Sequence, residues 1–322
     1  MPKVKTQFGL LLPHFGDHAT YGRVFDLAGR SEDLGFHSVW VRDHLSFQPH
    51  GFEGTSSTFL EPFTTLTAIA ARTTRLVLGT GVIIPFRHPL VTSQLFGTLA
   101  YVARGRVIAG IGAGGVKKPF TATGVPHAKR FQLCKEMAEI LRLTWSGPHV
   151  SYRGEFFAFE DVTIDPRPPA DTPLWYGGSS VGSVRRALEY CDGWFPGRCP
   201  LRTLDARLQM LREGAAPVGK RMAAAIIPVV SIDRDRETAL DKINVAGLLE
   251  EARGRPAWQG PFATADDLEG ILIAGSPRDC VREVQKLVDR EMDVVVFDLR
   301  LRFADYERSV EVLGREVLPA FR

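Results

Sequence analysis

Residues Arg75 to Pro89 read RLVLGTGVIIPFRHP, and the conformation of this stretch decides the architecture. Leu76-Val77-Leu78 is a short apolar run that breaks at Gly79-Thr80-Gly81 and resumes as Val82-Ile83-Ile84 before Pro85. A run this short and this apolar, closed by glycine, has the pattern of a strand covered on both faces, as in a parallel sheet. Glycines at the end of such a strand let the backbone approach a flat or charged group, at the end where α/β proteins place their ligands. A plain strand-to-loop bend is the competing explanation of Gly79 and Gly81.

Similar segments recur on either side. Apolar runs fall at Phe8–Pro13, Ser38–Val41, Arg106–Ile111, Pro173–Tyr176, Gly193–Pro196, Ala224–Ile232 and Asp293–Leu299, which with the opening stretch makes eight. Most are followed by a segment of helical period. Val24, Leu27, Ala28, Ser31 and Leu34 share one face, and Gly35 stops that run. Further helices are expected over Glu61–Arg72, Leu90–Tyr101, Ala128–Trp145, Glu237–Arg253 and from Pro277, with a closing helix carrying Tyr306 to Val317. Eight apolar strands, most of them alternating with helices, predict an α/β fold, a single (β/α)₈ TIM barrel over residues 1–322. A doubly wound open sheet is the alternative, which the spread of glycine-rich turns over several strand ends disfavours. Two insertions interrupt the pattern: an aromatic and proline-rich excursion at 146–172, read as a hairpin or loop, and an irregular segment at 233–275.

Composition excludes several function classes. Hydrophobic residues make up 44% and charged residues 24% of the 322, ordinary for a globular core, so neither disorder nor a fibrous protein is indicated. The net charge of +3 is dispersed, which implies neither a nucleic-acid nor a membrane partner. No apolar run approaches the ~20 residues of a membrane span, and Pro13 cuts short the N-terminal apolar segment, so a signal peptide is not expected. Cys134, Cys191, Cys199 and Cys280 lack zinc-like spacing and are expected to be structural thiols of a cytoplasmic protein.

On a barrel, the C-terminal strand ends form one face, and residues there are the default site. They are His14, Asp43-His44, Gly79 to Val82, Gly112 to Gly115, Gly177 to Ser180, Trp194 to Arg198 and Asp298 to Arg302. Gly177-Gly178-Ser179-Ser180 precedes a helix, so free N–H groups and hydroxyls at its positive end suit a phosphate; a simple serine cap is the alternative. Asp43-His44 pairs an acid with the side chain that titrates near neutral pH, open to a catalytic or a hydrogen-bonding role. A metal-dependent hydrolase would need chelating histidines, and His14 and His18 flank a glycine-containing loop at a poor spacing, so no metal is expected.

LGFHSVWVRDHL, EPFTTLTAIAARTTRLVLGTGVIIPFRHP, RVIAGIGAGG, ATGVPHAKRF, PLWYGGSS, CDGWFPG and IAGSPRDCVREVQKLVD resemble, in order and spacing, the luciferase-like flavin- or deazaflavin-dependent oxidoreductases, above all the subgroup using coenzyme F-420. The resemblance implies a TIM barrel that binds coenzyme F-420 or FMN at its C-terminal face, with a non-proline cis peptide at Gly81-Val82 behind the ring. It implies cofactor contacts from Asp43, Thr80, Gly81, Val82, Ala113, Gly114, Gly177, Gly178 and Ser179, and catalysis by His44 with Asp43. It further implies hydride transfer to, or oxygenation of, a small organic substrate, in a cytoplasmic homodimer. The sugar-phosphate dehydrogenases of this family carry an acid where this chain has Gly115, and the usual TLD-x-LS-x-GR segment reads TLAYVARGR. A flavin-binding protein without turnover is therefore the second expectation. Lys117, Lys118, Lys129, Arg130 and Arg198 are the cations available to an anionic cofactor tail, and Phe15, Phe47, Phe86 and Trp194 the rings available to an apolar pocket.

Overall fold

The computed structural model describes residues 5–47 and 56–322. Its strands are β1 (Gln7–Leu11), β2 (Ser38–Val41), β3 (Val77–Thr80), β4 (Val107–Ile111), β5 (Val150–Arg153), β6 (Ala158–Val162), β7 (Leu174–Gly177), β8 (Gly193–Phe195), β9 (Ala223–Ile226), β10 (Val229–Ile232), β11 (Leu272–Gly275) and β12 (Val294–Phe297). Eight of them close into a barrel in the order β1-β12-β9-β8-β7-β4-β3-β2, every pairing parallel. Closure removes the open-sheet alternative, and each of the eight apolar runs read from the sequence contributes one barrel strand.

Alternation along the strands sorts their side chains into two packed layers. Val39 and Val41 point outward into the large cluster shared with the helices, while Trp40 between them points inward. Inside the barrel Trp40 stacks on Trp175, ring centroids 5.8 Å apart, and Phe195 lies tilted against Trp40 at 5.0 Å. Rings this large leave no room for a neighbouring side chain. A Cβ on Gly79 would sit 2.3 Å from the Trp40 ring, and one on Gly193 would sit 2.5 Å from Trp175. Gly79, expected near a ligand, is thus a core residue.

The helices begin where the sequence supplies caps. Glu61 accepts a hydrogen bond from the Thr64 N–H and opens helix Pro62–Ala70, whose first residue is a proline that has no N–H to lose. Ser276 and Asp279 form a reciprocal capping box on helix Pro277–Val288. Two expectations are corrected, and one helix is new. The run Ala224–Ile232 is two strands, because Pro228 has no N–H for a ladder and the chain turns outward, pairing β10 with β11 in a separate two-stranded parallel sheet. The helix expected over Glu237–Arg253 is two, Arg236–Asp241 and Val245–Arg253, because Asn244 caps the second through the Gly247 N–H at 2.9 Å. Helix Leu201–Ala215 was not anticipated, although Leu201, Leu204, Leu208 and Leu211 bury one face at helical spacing.

Both insertions are ordered by side chains that reach across. The excursion at 146–172 contains the antiparallel hairpin β5–β6. Buried Glu136 holds it, accepting hydrogen bonds from the N–H groups of Glu155, Phe156 and Phe157. Segment 233–275 has its own small core around Leu248, Trp258, Phe262 and Leu268. Its helix Val245–Arg253 sends Glu251 to Arg198 at the barrel rim.

Candidate functional site

Two adjoining cavities lie over the C-terminal ends of β3, β4, β7 and β8. The larger, about 350 Å³, is bounded by Gly112 to Gly115, Tyr176 to Gly178 and Phe195 to Gly197, with Ser180, Ser183 and Arg186 at one side. The smaller, about 190 Å³, is bounded by Arg42, Asp43 and His44 and by Phe86, Val116 and Phe120. They share one floor, made of Gly81, Val82, Ile84, Gly114 and Gly115. The Gly81–Val82 peptide bond is cis. The Val82 side chain fills the space over β4 and β7, where a Cβ on Gly112 would come within 2.6 Å of it and one on Gly177 within 2.7 Å. Part of the glycine richness at these strand ends therefore serves Val82, and the rest leaves bare backbone along the cavity.

The turn after β7 has the shape the sequence suggested, with its serines in exchanged roles. Gly178 adopts φ +130°, a left-handed region that favours glycine. Ser180 caps helix Val181–Tyr190, accepting from the Ser183 N–H at 3.1 Å, and it is Ser180 that lines the cavity. The N–H groups of Val181 and Gly182, in the helix's first turn, have no partner inside the helix, so that end favours an anion. Ser179 is turned away: its Oγ accepts from the Trp258 indole N–H at 3.1 Å. Ser179 is thus the point where segment 233–275 clasps the turn. Gly178's own N–H donates to the Phe195 carbonyl at 3.0 Å, so it is already engaged.

Arg186 escaped the sequence reading. It lines the larger cavity, its guanidinium 3.9 Å over the Phe131 ring, and no carboxylate among the described residues pairs with it. Ser180, Ser183 and Arg186 follow at three-residue spacing on one helix face, a signal the sequence contained. The cations named instead are occupied or elsewhere. Lys129 pairs with Glu155, Arg130 stacks on Phe131, and Arg198 bonds Glu251; none of these, nor Lys117 or Lys118, lines either cavity.

At the other end, β2 finishes at Val41, so strand alternation no longer separates Asp43 from His44 and both line the smaller cavity. Asp43 is buried and braced. Arg87 donates to both of its oxygens, at 2.7 and 3.1 Å, and the Ile84 N–H donates to Oδ2 at 3.1 Å. Burial works to lower the Arg87 pKa, and the bonds to Asp43 and Glu61 outweigh it, so the guanidinium is held charged. The chain Glu61–Arg87–Asp43 thereby fixes Ile84 in the shared floor. A carboxylate has about four acceptor sites, so one remains on Asp43 after these three bonds. His44 is half-buried and packs against Phe47 and Phe59, centroids 5.7 and 5.1 Å away.

Thr80 is fully buried and its hydroxyl is spent on β4: it donates to the Gly110 carbonyl and accepts from the Gly110 N–H. It touches neither cavity. Of the aromatic residues expected to wall a pocket, Phe86 does so, whereas Phe15 and Phe47 pack in a ring cluster and Trp194 points outward, bonding the Gly178 carbonyl. His14 is a packing residue. Its Nδ1–H donates to the Leu12 carbonyl and its Nε2 accepts from the Arg42 N–H, which leaves it neutral and unable to bind a metal. No group of three or more His, Cys, Asp or Glu among the described residues could hold a metal ion. All four cysteines are free and buried.

Residues 6–293 match the luciferase-like monooxygenase family model. The F-420-dependent glucose-6-phosphate dehydrogenase of Nakamurella multipartita is 29% identical over 92% of this chain and 91% of that protein. The 5,10-methylenetetrahydromethanopterin reductase of Archaeoglobus fulgidus is 24% identical over 91% of this chain and 93% of its own. Among solved structures, monooxygenase RslO1 from Streptomyces bottropensis superposes with a TM-score of 0.79 at 22% identity, over 98% of this chain and 100% of that one; this likeness speaks for the fold.

Proposed function

The chain belongs to the luciferase-like monooxygenase family, and from that premise we infer how its two cavities divide the work of an enzyme that uses coenzyme F-420 or FMN. It is a flavin- or deazaflavin-dependent oxidoreductase acting on a small molecule. The cofactor, when bound, supplies hydride transfer at its ring, or activates oxygen there; the protein supplies position, charge and a proton.

The larger cavity is the cofactor's. A planar ring needs a flat floor with little projecting from it, and the backbone of Ala113, Gly114 and Gly115 beside the Gly81–Val82 peptide, where no side chain is larger than a methyl group, meets that need. A phosphate needs donors and a cation, which the first turn of helix Val181–Tyr190, the Ser180 hydroxyl and Arg186 meet at one end. This pairing of a bare-backbone floor with an arginine that no carboxylate among the described residues pairs is the observation that carries the reading. Asp43 lines the adjoining recess and keeps one acceptor site for a ring-edge N–H, while bracing Ile84 in the floor. His44, in the same recess, exchanges a proton with the substrate. Gly178 shapes the phosphate turn, and Thr80 and Ser179 act one step back, the first by locking β3 to β4 and the second by tying the turn to Trp258.

A single domain, a homodimer and a cytoplasmic setting belong to the same reading. Four buried free thiols support a reducing compartment, and no helix among the described residues is long and apolar enough to cross a membrane.

Titration of the purified protein with FMN and with F-420, followed by tryptophan fluorescence, tests the cofactor assignment; failure to bind either one ends it. Arg186→Gln is expected to weaken the bound cofactor by at least about tenfold, the loss of one charge-assisted hydrogen bond. Binding of riboflavin, which lacks the phosphate, is expected to stay unchanged. Equal losses for both would assign Arg186 to packing.

A further inference from the structure

We propose that the smaller cavity takes a neutral, largely apolar molecule bearing one carbonyl or hydroxyl group, and not a sugar phosphate. This rests on assigning the larger cavity to the cofactor. The recess of about 190 Å³ has Arg42, Asp43 and His44 in its lining, but Ile84, Phe86, Val116, Pro119 and Phe120 make the greater part of its wall apolar, and that part offers a polyhydroxylated ring no partners. Burying hydroxyls against such walls strips them of water and leaves their hydrogen bonds unmade, a penalty the walls do nothing to offset.

Charge points the same way. Asp43, a buried acid, faces the recess and would repel a phosphate. Arg87 is bonded to Asp43 and Arg198 to Glu251, and neither lines the recess; Arg42 lines it and lays its guanidinium over the Phe15 ring at 4.0 Å. Gly115 adds no acid for a sugar hydroxyl, and a Cβ built there would meet nothing within 4 Å, so the position is open space. The recess therefore has a polar part, where the proton-exchanging His44 stands beside Arg42 and Asp43, and a greasy part. A ketone or secondary alcohol of the size of a six-membered ring matches both ends. For the ketone, His44 would give its proton to the carbonyl oxygen while the hydride reaching the carbonyl carbon would be supplied by the reduced cofactor. The products would be the alcohol, oxidised cofactor and neutral His44.

The test uses the protein loaded with whichever cofactor the titration selects. Saturation-transfer NMR is run with cyclohexanone and with glucose 6-phosphate, and anaerobic oxidation of the reduced cofactor is followed with cyclohexanone and with 6-phosphogluconolactone as acceptors. Saturation should reach cyclohexanone and not the sugar phosphate, and only the ketone should be reduced. Val116→Arg, on an exposed part of the wall, should weaken cyclohexanone binding about tenfold while cofactor affinity holds. His44→Asn should keep the NMR signal and lose turnover. Saturation reaching glucose 6-phosphate instead, a cyclohexanone signal indifferent to Val116→Arg, or bound cofactor with no cyclohexanone signal would each overturn the proposal. Absence of cofactor binding would show in the prior titration and would fell the underlying assignment instead.

Discussion

His44 and His14 both pack on the Phe59 ring at the barrel mouth, and their surroundings give them opposite uses. His44 is half-buried in a cavity wall. Replacing it with alanine should reduce kcat by about 10²-fold or more, the usual contribution of a general acid or base, with cofactor affinity nearly unchanged. Steady-state rates beside a binding titration check this, and an unaffected rate would remove His44 from the mechanism. His14 is fully buried with both ring nitrogens bonded, and burial first, then the charge of Arg42, lowers its pKa from 6.5 to about 3. The unfolded chain therefore binds the proton more readily than the folded one. The stability due to neutral His14 is complete above the unfolded value of 6.5 and is lost as pH falls towards 3. At pH 5 the loss is about 2 kcal/mol. Urea unfolding at pH 7 and pH 5 should show that difference, and His14→Gln, although less stable throughout, should flatten it.

Segment 233–275 shows how an element that looks irregular in sequence becomes part of the site's frame. Its anchors are single side chains that meet the barrel rim: Glu251 on Arg198, Trp258 on Ser179, and the Gln259 N–H on the Thr203 hydroxyl. Burial pushes the Glu251 carboxyl up, and Arg198 and Arg255 together overcome it and bring it down to about 2, so the pair is charged at neutral pH. Arg198 is itself almost wholly buried, its pKa lowered first by burial. Glu251→Ala strands that guanidinium with only Asp298, 3.8 Å away, and should cost about 3 kcal/mol. Denaturant melts would measure the loss, and limited proteolysis should show earlier cutting within 233–275. Unchanged melts would mean that the segment docks through its apolar core alone. Part of this was legible: the capping residues Asp235 and Asn244 are written in the sequence, as is the helical face of Leu201 to Leu211. The pairing of β10 with β11 was not, because strands distant in sequence choose each other only once the barrel excludes them from its own ladder.

Across the whole molecule, the barrel is a packing problem solved by size exchange between neighbouring strands. Large rings at Trp40, Trp175 and Phe195 fill the interior, and the neighbouring strands carry glycine beside Trp40 and Trp175, at Gly79 and Gly193. Gly79→Ala would place a methyl 2.3 Å from Trp40 and should destabilise the protein by about 3 kcal/mol, at the upper end of overpacking costs. Thermal unfolding checks this, and a variant as stable as the parent would mean the Trp40 ring can shift. Sequence alone determined the eight strands, the glycine-rich strand ends and the neighbourhood of Asp43 and His44, because short apolar runs, glycine stops and capping residues act locally, within a few residues of where they are read. Tertiary structure decided the rest: that Gly79 serves Trp40 and Gly177 serves Val82, that Ser180 and not Ser179 faces the cavity, that Asp43 is held by Arg87, and that Arg186 stacks on Phe131 with no carboxylate partner among the described residues. Each of these depends on which side chains arrive from distant strands and on how much room they leave, a quantity that exists only after the barrel has closed.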